Sequence, residues 1–225
     1  GISLTLETQS IFPVKGSSLE FSCRLSEPFD KESIAIWKGT SKVTTCLAEN
    51  YLCEFYKTGY SFTSNSTGVF ASISSLTAEA EGTWQCIYQR IIGGYLYSNS
   101  WNLSVYTIPS GLSVTQNPNQ NIDLSVESVI LQCKTTCCSY PISTVQWIFQ
   151  DQTTSSEIVY ITSNTTGTQE TCAAQEKVYT STLNIPQYTT LNDNSDKNVT
   201  FSCRIQYPDP SRNIMASASH TVIFA

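Results

Sequence analysis

Apolar and polar residues alternate in several short segments of the 225-residue chain. In the first half, the residues from Leu19 to Leu25 alternate in this way, and those from Val69 to Ile73 do so again. Alternation with a period of two is typical of a strand with one buried face. The second half shows the same pattern in four segments: Val129 to Cys133, Thr144 to Ile148, Ser181 to Ile185 and Val199 to Ile205. The pattern therefore predicts an all-β protein.

A cysteine–tryptophan–cysteine pattern occurs once in each half of the chain. The tryptophan follows the first cysteine by fourteen residues, and the second cysteine comes much later. A tryptophan packed on a bridge between two sheets is a device of antiparallel sandwiches of about 100 residues. We predict two such sandwiches in tandem, at 1–106 and 107–225. The two sets, each with its cysteines bridged, are Cys23, Trp37 and Cys86, and Cys133, Trp147 and Cys203.

The segment before Cys86 resembles the corner that precedes strand F in variable-type immunoglobulin domains. Gly82 and Trp84 hold matching positions, four and two residues before Cys86, while Ala80 stands where the family has Asp. The family has a tyrosine at the position of Trp84, and its hydroxyl bonds back to the backbone. The resemblance implies a variable-type domain in the first half, with room for strands C′ and C″. It implies a second immunoglobulin-like domain in the other half.

Five cysteines remain, and their pairing is less determined. Cys46 and Cys53 lie seven positions apart, and a local bridge between them is the natural pairing. One of the neighbours Cys137 and Cys138 is expected to bridge to Cys172. We place Cys138 in that bridge and keep Cys137 as the alternative. The thiol left over either pairs between chains, through Cys137 or Cys138, or stays free.

Composition indicates an extracellular protein. Only 13% of the residues are charged, against about 25% in an average globular protein. Nine cysteines favour an oxidising compartment over zinc binding, because no CxxC pair occurs and His220 is the only histidine. Four sequons predict glycosylation at Asn65, Asn102, Asn164 and Asn198. We expect a secreted protein or one on the extracellular side of the cell surface.

Several classes of function are disfavoured by the same sequence. A net charge of −6 makes nucleic acids and anionic membranes poor partners. The chain has no run of about 18 apolar residues, so we expect this segment not to insert into a membrane. Since His220 is the only imidazole, neither a Ser-His-Asp nor a Cys-His arrangement is supported. We therefore expect a binding protein without catalytic residues, cofactor or metal.

Two surfaces of the first domain are candidates for partner binding. The first is the predicted hairpin between strands F and G, where a Gly-Gly turn lies among Arg90, Ile91, Ile92, Tyr95, Leu96 and Tyr97. The alternative is that some of these side chains simply continue the strand pair. The second is a sheet face, because an inward Trp37 and Cys86 would turn Ile36 and Ile87 outward. An outward Asn102 on the same sheet would carry a glycan able to shield that face.

We therefore predict an extracellular recognition module that binds a protein or glycoprotein ligand. The tandem with its small extra disulfide loop also resembles the paired immunoglobulin region of molluscan fibrinogen-related defence lectins. That resemblance implies innate immune or pathogen recognition. The alternative is a cell-adhesion or self-recognition ectodomain that forms homodimers through its first domain.

Overall fold

The computed structural model describes residues 1–123, 128–150, 157–185, 198–207 and 215–223. The chain divides into two compact units, Gly1–Tyr106 and Thr107–Ala225. Both are built of antiparallel strands, so the all-β prediction is confirmed.

Unit 1 is a sandwich of two antiparallel sheets. Its strands are β1 (Leu4–Thr8), β2 (Leu19–Leu25), β3 (Ser33–Lys38), β4 (Ser41–Leu47), β5 (Tyr60–Asn65), β6 (Gly68–Ile73), β7 (Gly82–Gln89), β8 (Tyr95–Tyr97) and β9 (Trp101–Leu103). One sheet has the order β1-β2-β6-β5, and the other has the order β4-β3-β7-β8, with β9 also paired to β7. We call the outward side of the β4-β3-β7-β8 sheet the front face. The outward side of the β1-β2-β6-β5 sheet is the back face.

The core of unit 1 lies between these sheets and is crossed by a disulfide. Cys23 on β2 and Cys86 on β7 are bonded, with their Cα atoms 6.2 Å apart. Leu19 and Phe21 on β2 and Val69 on β6 are buried with them, as alternation along each strand predicts. Beside β4, Cys46 and Cys53 are also bonded. An isolated backbone bridge joins these two residues, so only this bridge stands where a C″ strand was expected.

Unit 2 repeats the two-sheet arrangement. Its strands are β10 (Leu112–Asn117), β11 (Val129–Thr135), β12 (Thr144–Gln150), β13 (Glu157–Asn164), β14 (Thr166–Thr168), β15 (Val178–Ile185), β16 (Asn198–Gln206) and β17 (Met215–Ile223). The sheet orders are β10-β11-β15-β14 and β13-β12-β16-β17. Cys133 on β11 and Cys203 on β16 are bonded across the core. Trp147 lies opposite Cys203 in the strand register and is fully buried, as predicted for this half.

The inward face of β3 in unit 1 differs from the prediction by one residue. Ile36, not Trp37, lies opposite Cys86 in the register, and its side chain is 0% exposed. The prediction of an outward, partner-binding Ile36 is therefore wrong. Trp37 instead faces outward and is half-buried. The core of unit 1 already holds Trp84, which packs edge-on against Phe21 at 5.3 Å between ring centroids, so Ile36 fills the smaller space that remains.

Trp84 also preserves the hydrogen bond of the corner before β7. Its Nε1 atom donates to the carbonyl oxygen of Ala80 at 2.9 Å. Ala80 closes a single turn of 3-10 helix, Ala78–Ala80, just before the strand. An indole can only donate, and a backbone carbonyl supplies the acceptor that it needs. Trp84 thus combines a buried core side chain with an anchor for the corner.

The vicinal cysteines of unit 2 pair differently from the arrangement we predicted. Cys137, not Cys138, is bonded to Cys172, with 5.6 Å between the Cα atoms. The backbone of Cys138 exchanges two hydrogen bonds with Lys177, at 3.0 and 2.8 Å, and its thiol is completely buried. Neighbouring side chains of an extended segment point to opposite sides, which leaves Cys137 to meet Cys172. Of the two alternatives for the leftover thiol, the structure favours a buried free thiol, at Cys138.

We predict that the Cys138 thiol is unreactive in the folded protein. Burial raises the pKa of this thiol to about 11, and the thiolate is the reactive form, so labelling by a maleimide at about pH 8 should be negligible. Unfolding in guanidinium without a reductant should expose one reactive site, which peptide mapping should assign to Cys138. Labelling of Cys137 or Cys172, or a disulfide-linked dimer on a non-reducing gel, would contradict this pairing.

Candidate binding face

Two rows of side chains cross the front face of unit 1. Burial of Ile34, Ile36 and Cys86 fixes the inward positions of β3 and β7, so the residues between them point outward. The strand registers place Ala35 opposite Ile87 and Ile87 opposite Tyr97 in one row. In the next row they place Ser33 opposite Gln89 and Gln89 opposite Tyr95. On β4 the rows end in Thr45 and Leu47.

Aromatic and aliphatic side chains dominate these rows. Tyr95 and Tyr97 are more than half exposed, and their ring centroids lie 6.4 Å apart. Ile87 is half-buried between Ala35 and Tyr97, and it points outward as the sequence predicts. Trp37 adds a further half-buried aromatic in the next row along β3. The outward side of a solvated antiparallel sheet usually carries polar residues, so this face departs from the common pattern.

The Cys46–Cys53 disulfide extends the front face beyond β4. The backbone N–H of Leu47 donates to the carbonyl of Leu52 at 3.0 Å, and the N–H of Glu54 donates to that of Thr45 at 3.0 Å. Because Cys53 points inward, Leu52 points outward beside Leu47, and it is 66% exposed. Phe55 follows at 79% exposure. Sequence reasoning missed both residues, although large apolar side chains beside a short disulfide loop were the available signal.

The hairpin between β7 and β8 forms one end of the front face. Ile91 and Ile92 are 86% and 89% exposed at its tip. Gly93 and Gly94 both have positive φ, at 99° and 70°, a conformation that glycine adopts without a steric penalty. The tip therefore holds two large apolar side chains in water, on a turn whose backbone is closed by hydrogen bonds.

Two hairpin residues predicted to bind a partner have structural contacts instead. Leu96 points inward opposite Tyr88 and packs against the core, so its prediction as a contact residue is wrong. Arg90 closes the turn: its backbone N–H donates to the carbonyl of Gly94, and its Nη2 atom donates to that of Gly93, both at 3.1 Å. The side chain of Arg90 thus supports the tip on which Ile91 and Ile92 stand.

The front face carries little net charge. The ion pair between Lys42 Nζ and Glu54 Oε2, at 3.7 Å, joins two well-exposed side chains at its β4 edge. An exposed pair of this kind contributes less than about 1 kcal/mol, so its main effect is to balance charge locally. Beyond β4, Leu52 and Glu54 extend the two rows past Leu47 and Thr45. Glu54 is the one charged residue of these extended rows. A face that is nearly neutral on a chain of net charge −6 offers little electrostatic repulsion to an approaching protein.

The predicted glycosylation sites lie around rather than on these rows. Asn102 on β9 is exposed and accepts a hydrogen bond from Thr83 Oγ1 at 2.7 Å. Thr83 precedes Ile87 by four residues on β7, or about 13 Å at about 3.3 Å per residue. A glycan on Asn102 would therefore stand at one end of the front face. Asn65 and Asn164 are exposed, and the side chain of Asn198 lies outside the described part of the chain.

The histidine and the acidic residues of the described ranges were candidates for a metal or catalytic site. His220 on β17 bonds through Nε2 to Gln116 Oε1 at 2.8 Å. In the described ranges, no group of three or more His, Cys, Asp or Glu side chains is arranged to hold a metal ion. No helix in those ranges is long and apolar enough to cross a membrane.

Comparison with known protein families agrees with the fold. Residues 112–214 match the family of CD80-like C2-set immunoglobulin domains. No curated protein matches the chain significantly. Immunoglobulin-like domains are typically non-catalytic and bind proteins, and their disulfides indicate an extracellular location. Residues 112–214 thus match a CD80-like C2-set immunoglobulin domain, and unit 1, which precedes them, is a second immunoglobulin-like sandwich.

Proposed function

We propose that unit 1 is the ligand-binding unit of an extracellular recognition protein, and that its front face contacts a protein or glycoprotein ligand. We assign this recognition to innate immunity against pathogens. The observation that carries the proposal is the exposure of Tyr95, Tyr97 and Leu52 on the front face, with the exposed Ile91–Ile92 tip at its end. The variable type of unit 1 and the likeness to molluscan lectins are part of the same proposal.

The physical argument rests on how interfaces gain their energy. Tyrosines add large contact area at a small entropic cost, because they have only two side-chain torsions. Residues at the centre of an interface often contribute 2 kcal/mol or more each, whereas those at its rim contribute little. Ile87 lies on the inner strand β7 in the middle of the front face, and Tyr97 is its direct neighbour on the edge strand β8. We expect them to be the central contacts.

Changing Ile87 to Glu tests this proposal. A carboxylate there would be buried without a partner in any complex formed through the front face, and such burial is costly. Affinity for a ligand selected from a panel of extracellular proteins should fall at least about tenfold, measured by surface plasmon resonance. The matched control is Ile130→Glu, at an exposed isoleucine on β11 of unit 2, which should bind normally. Equal affinity of folded Ile87→Glu and wild type would refute the front-face proposal.

The alternative proposal is an adhesion or self-recognition ectodomain that pairs through the same face. The near-neutral charge of the face supports it, since two copies of a chain with a net charge of −6 can approach there without strong repulsion. Sedimentation equilibrium of the same two variants separates the proposals. A wild-type dimer that Ile87→Glu dissociates and Ile130→Glu does not would favour self-pairing. A wild-type monomer would favour a separate ligand.

A further inference from the structure

The back face of unit 1 carries a groove that the proposed function does not use. Its volume is about 630 Å³, within the range of pockets that hold drug-sized ligands. Its lining includes short polar side chains, among them Ser22, Ser61, Thr63 and Ser72. These hydroxyls both donate and accept hydrogen bonds. The groove is thus suited to a neutral ligand that is rich in polar groups.

Phe70 lines this groove with an aromatic ring that points outward from the sheet. It lies on β6 between the buried residues Val69 and Ala71, so its ring points outward, and it stays partly exposed. Ser22 and Thr63 flank it on the neighbouring strands, and both are too small to cover the ring. Arg24 stands over the ring at 5.3 Å and pairs with Glu7 at 3.2 Å. The ring is therefore covered from the β2 side and approachable from the β5 side.

Asn65 lies on the β5 side of that ring. It is the last residue of β5 and points outward like Thr63, two residues before it. The sequon Asn65-Ser66-Thr67 forms a tight turn in which Thr67 donates to Asn65 Oδ1 from its backbone N–H at 2.8 Å and from its Oγ1 at 2.6 Å. Both bonds use the oxygen of the amide. The nitrogen, Nδ2, is the atom that carries an N-linked glycan, and the turn does not use it.

The sheet register brings the sequon and the ring together. Thr63 is opposite Phe70, and Asn65 is opposite Gly68, so Asn65 and Phe70 are diagonal neighbours about 7–8 Å apart. Gly68 contributes no side chain to the space between Asn65 and Arg24. We propose that the back-face groove holds the first sugars of an N-glycan on Asn65, with Phe70 as the surface on which a sugar ring stacks. This inference concerns the face opposite the proposed ligand site and does not depend on it.

The chemistry of the glycan core matches the groove. An N-acetylglucosamine ring is uncharged, presents one face of C–H groups, and carries hydroxyl and amide groups at its edge. The C–H face fits the aromatic ring of Phe70, and the edge groups fit the serine and threonine hydroxyls. The charged residues that line the groove, Glu7, Glu20 and Arg24, leave it with one net negative charge, which disfavours anionic ligands. The glycan would cover the back face and leave the front face open.

A double-mutant cycle tests this inference on the full chain secreted from eukaryotic cells. Asn65→Asp removes the glycan but keeps an oxygen acceptor for Thr67, and Phe70→Ser keeps the glycan but removes the ring. Asn65→Asp should lower the Tm of unit 1 by about 3 °C when Phe70 is present, and should have no such effect in the Phe70→Ser background. Phe70→Tyr should keep the coupling. Ring-current shifts of the first sugar's protons should likewise disappear in Phe70→Ser.

The second sequon of unit 1 supplies the control. Asn102 lies on the front-face sheet, so Asn102→Gln should show no coupling to Phe70. Two results would overturn the inference: mass spectrometry that finds Asn65 unmodified, or the same loss of Tm from Asn65→Asp in both backgrounds.

Discussion

Replacing Ile36 with Ala should destabilise unit 1 far more than replacing Trp37 with Ala, although tryptophan is the larger side chain. Ile36 is completely buried opposite Cys86, and removing such a side chain costs about 2–5 kcal/mol through lost burial and the cavity left behind. Trp37 is half-buried on the front face, where a typical substitution costs about 1 kcal/mol. Hydrogen exchange measured by mass spectrometry can follow β2 and β7 of unit 1 separately from unit 2.

Trp147 in unit 2 is the internal control for this comparison. It lies opposite Cys203, fully buried, at the position that Ile36 holds in unit 1. Trp147→Ala should therefore cost about 3–5 kcal/mol and affect only the exchange of unit 2. If Trp37→Ala destabilised unit 1 as strongly as Trp147→Ala destabilises unit 2, Trp37 would be a core residue and the register described for β3 would be wrong.

The fold class follows from features that are local in the sequence. Alternation of apolar and polar residues has a period of two in any half-buried strand, so the strands around Cys23 and Cys133 were recognisable without a partner. The inward face of β3 was harder to predict, because Ile34 and Ile36 compete with Ala35 and Trp37 for the core. The choice depends on Trp84, 47 residues after Trp37, which occupies the space that a second tryptophan would need. Spacing alone does not contain that information.

The adjacent cysteines Cys137 and Cys138 show a second limit of prediction from the sequence. The sequence predicts that one of Cys137 and Cys138 has Cys172 as a partner, but their distances to it along the chain differ by a single residue. The choice is made by the backbone pairing of Cys138 with Lys177, which turns its side chain inward. Such a pairing between distant segments is visible only in the folded chain.

The candidate binding face could be predicted only in part, because some of its residues are placed by pairing between segments that are separate in the sequence. The outward direction of Ile87 follows from its neighbour Cys86, whose role was clear from the repeated pattern. Leu52 joins the face only because the Cys46–Cys53 bridge lays its segment beside β4. At the hairpin, the Gly-Gly turn was recognisable, but the inward packing of Leu96 depends on its pairing with Tyr88.

Changing Ile91, Ile92 and Tyr95 together to Ser should reduce ligand affinity by more than about 100-fold, if the hairpin tip and the front face form one binding surface. Large apolar and aromatic anchors often contribute 2 kcal/mol or more each, although their effects do not add, and about 2.8 kcal/mol corresponds to 100-fold. The fold should be unaffected, because all three side chains are mostly exposed. The measurement is the dissociation constant by calorimetry, together with the Tm of each variant.

Arg90→Ala separates the role of the tip side chains from that of the turn. Arg90 Nη2 holds the carbonyl of Gly93, so its loss should loosen the hairpin while leaving Ile91 and Ile92 in the sequence. We expect a smaller loss of affinity than for the triple variant, with a slower association rate, because the tip must be ordered on binding. A folded triple variant that binds as tightly as the wild type would remove the hairpin from the binding surface. The central row of Ile87 and Tyr97 would then be the contact to test next.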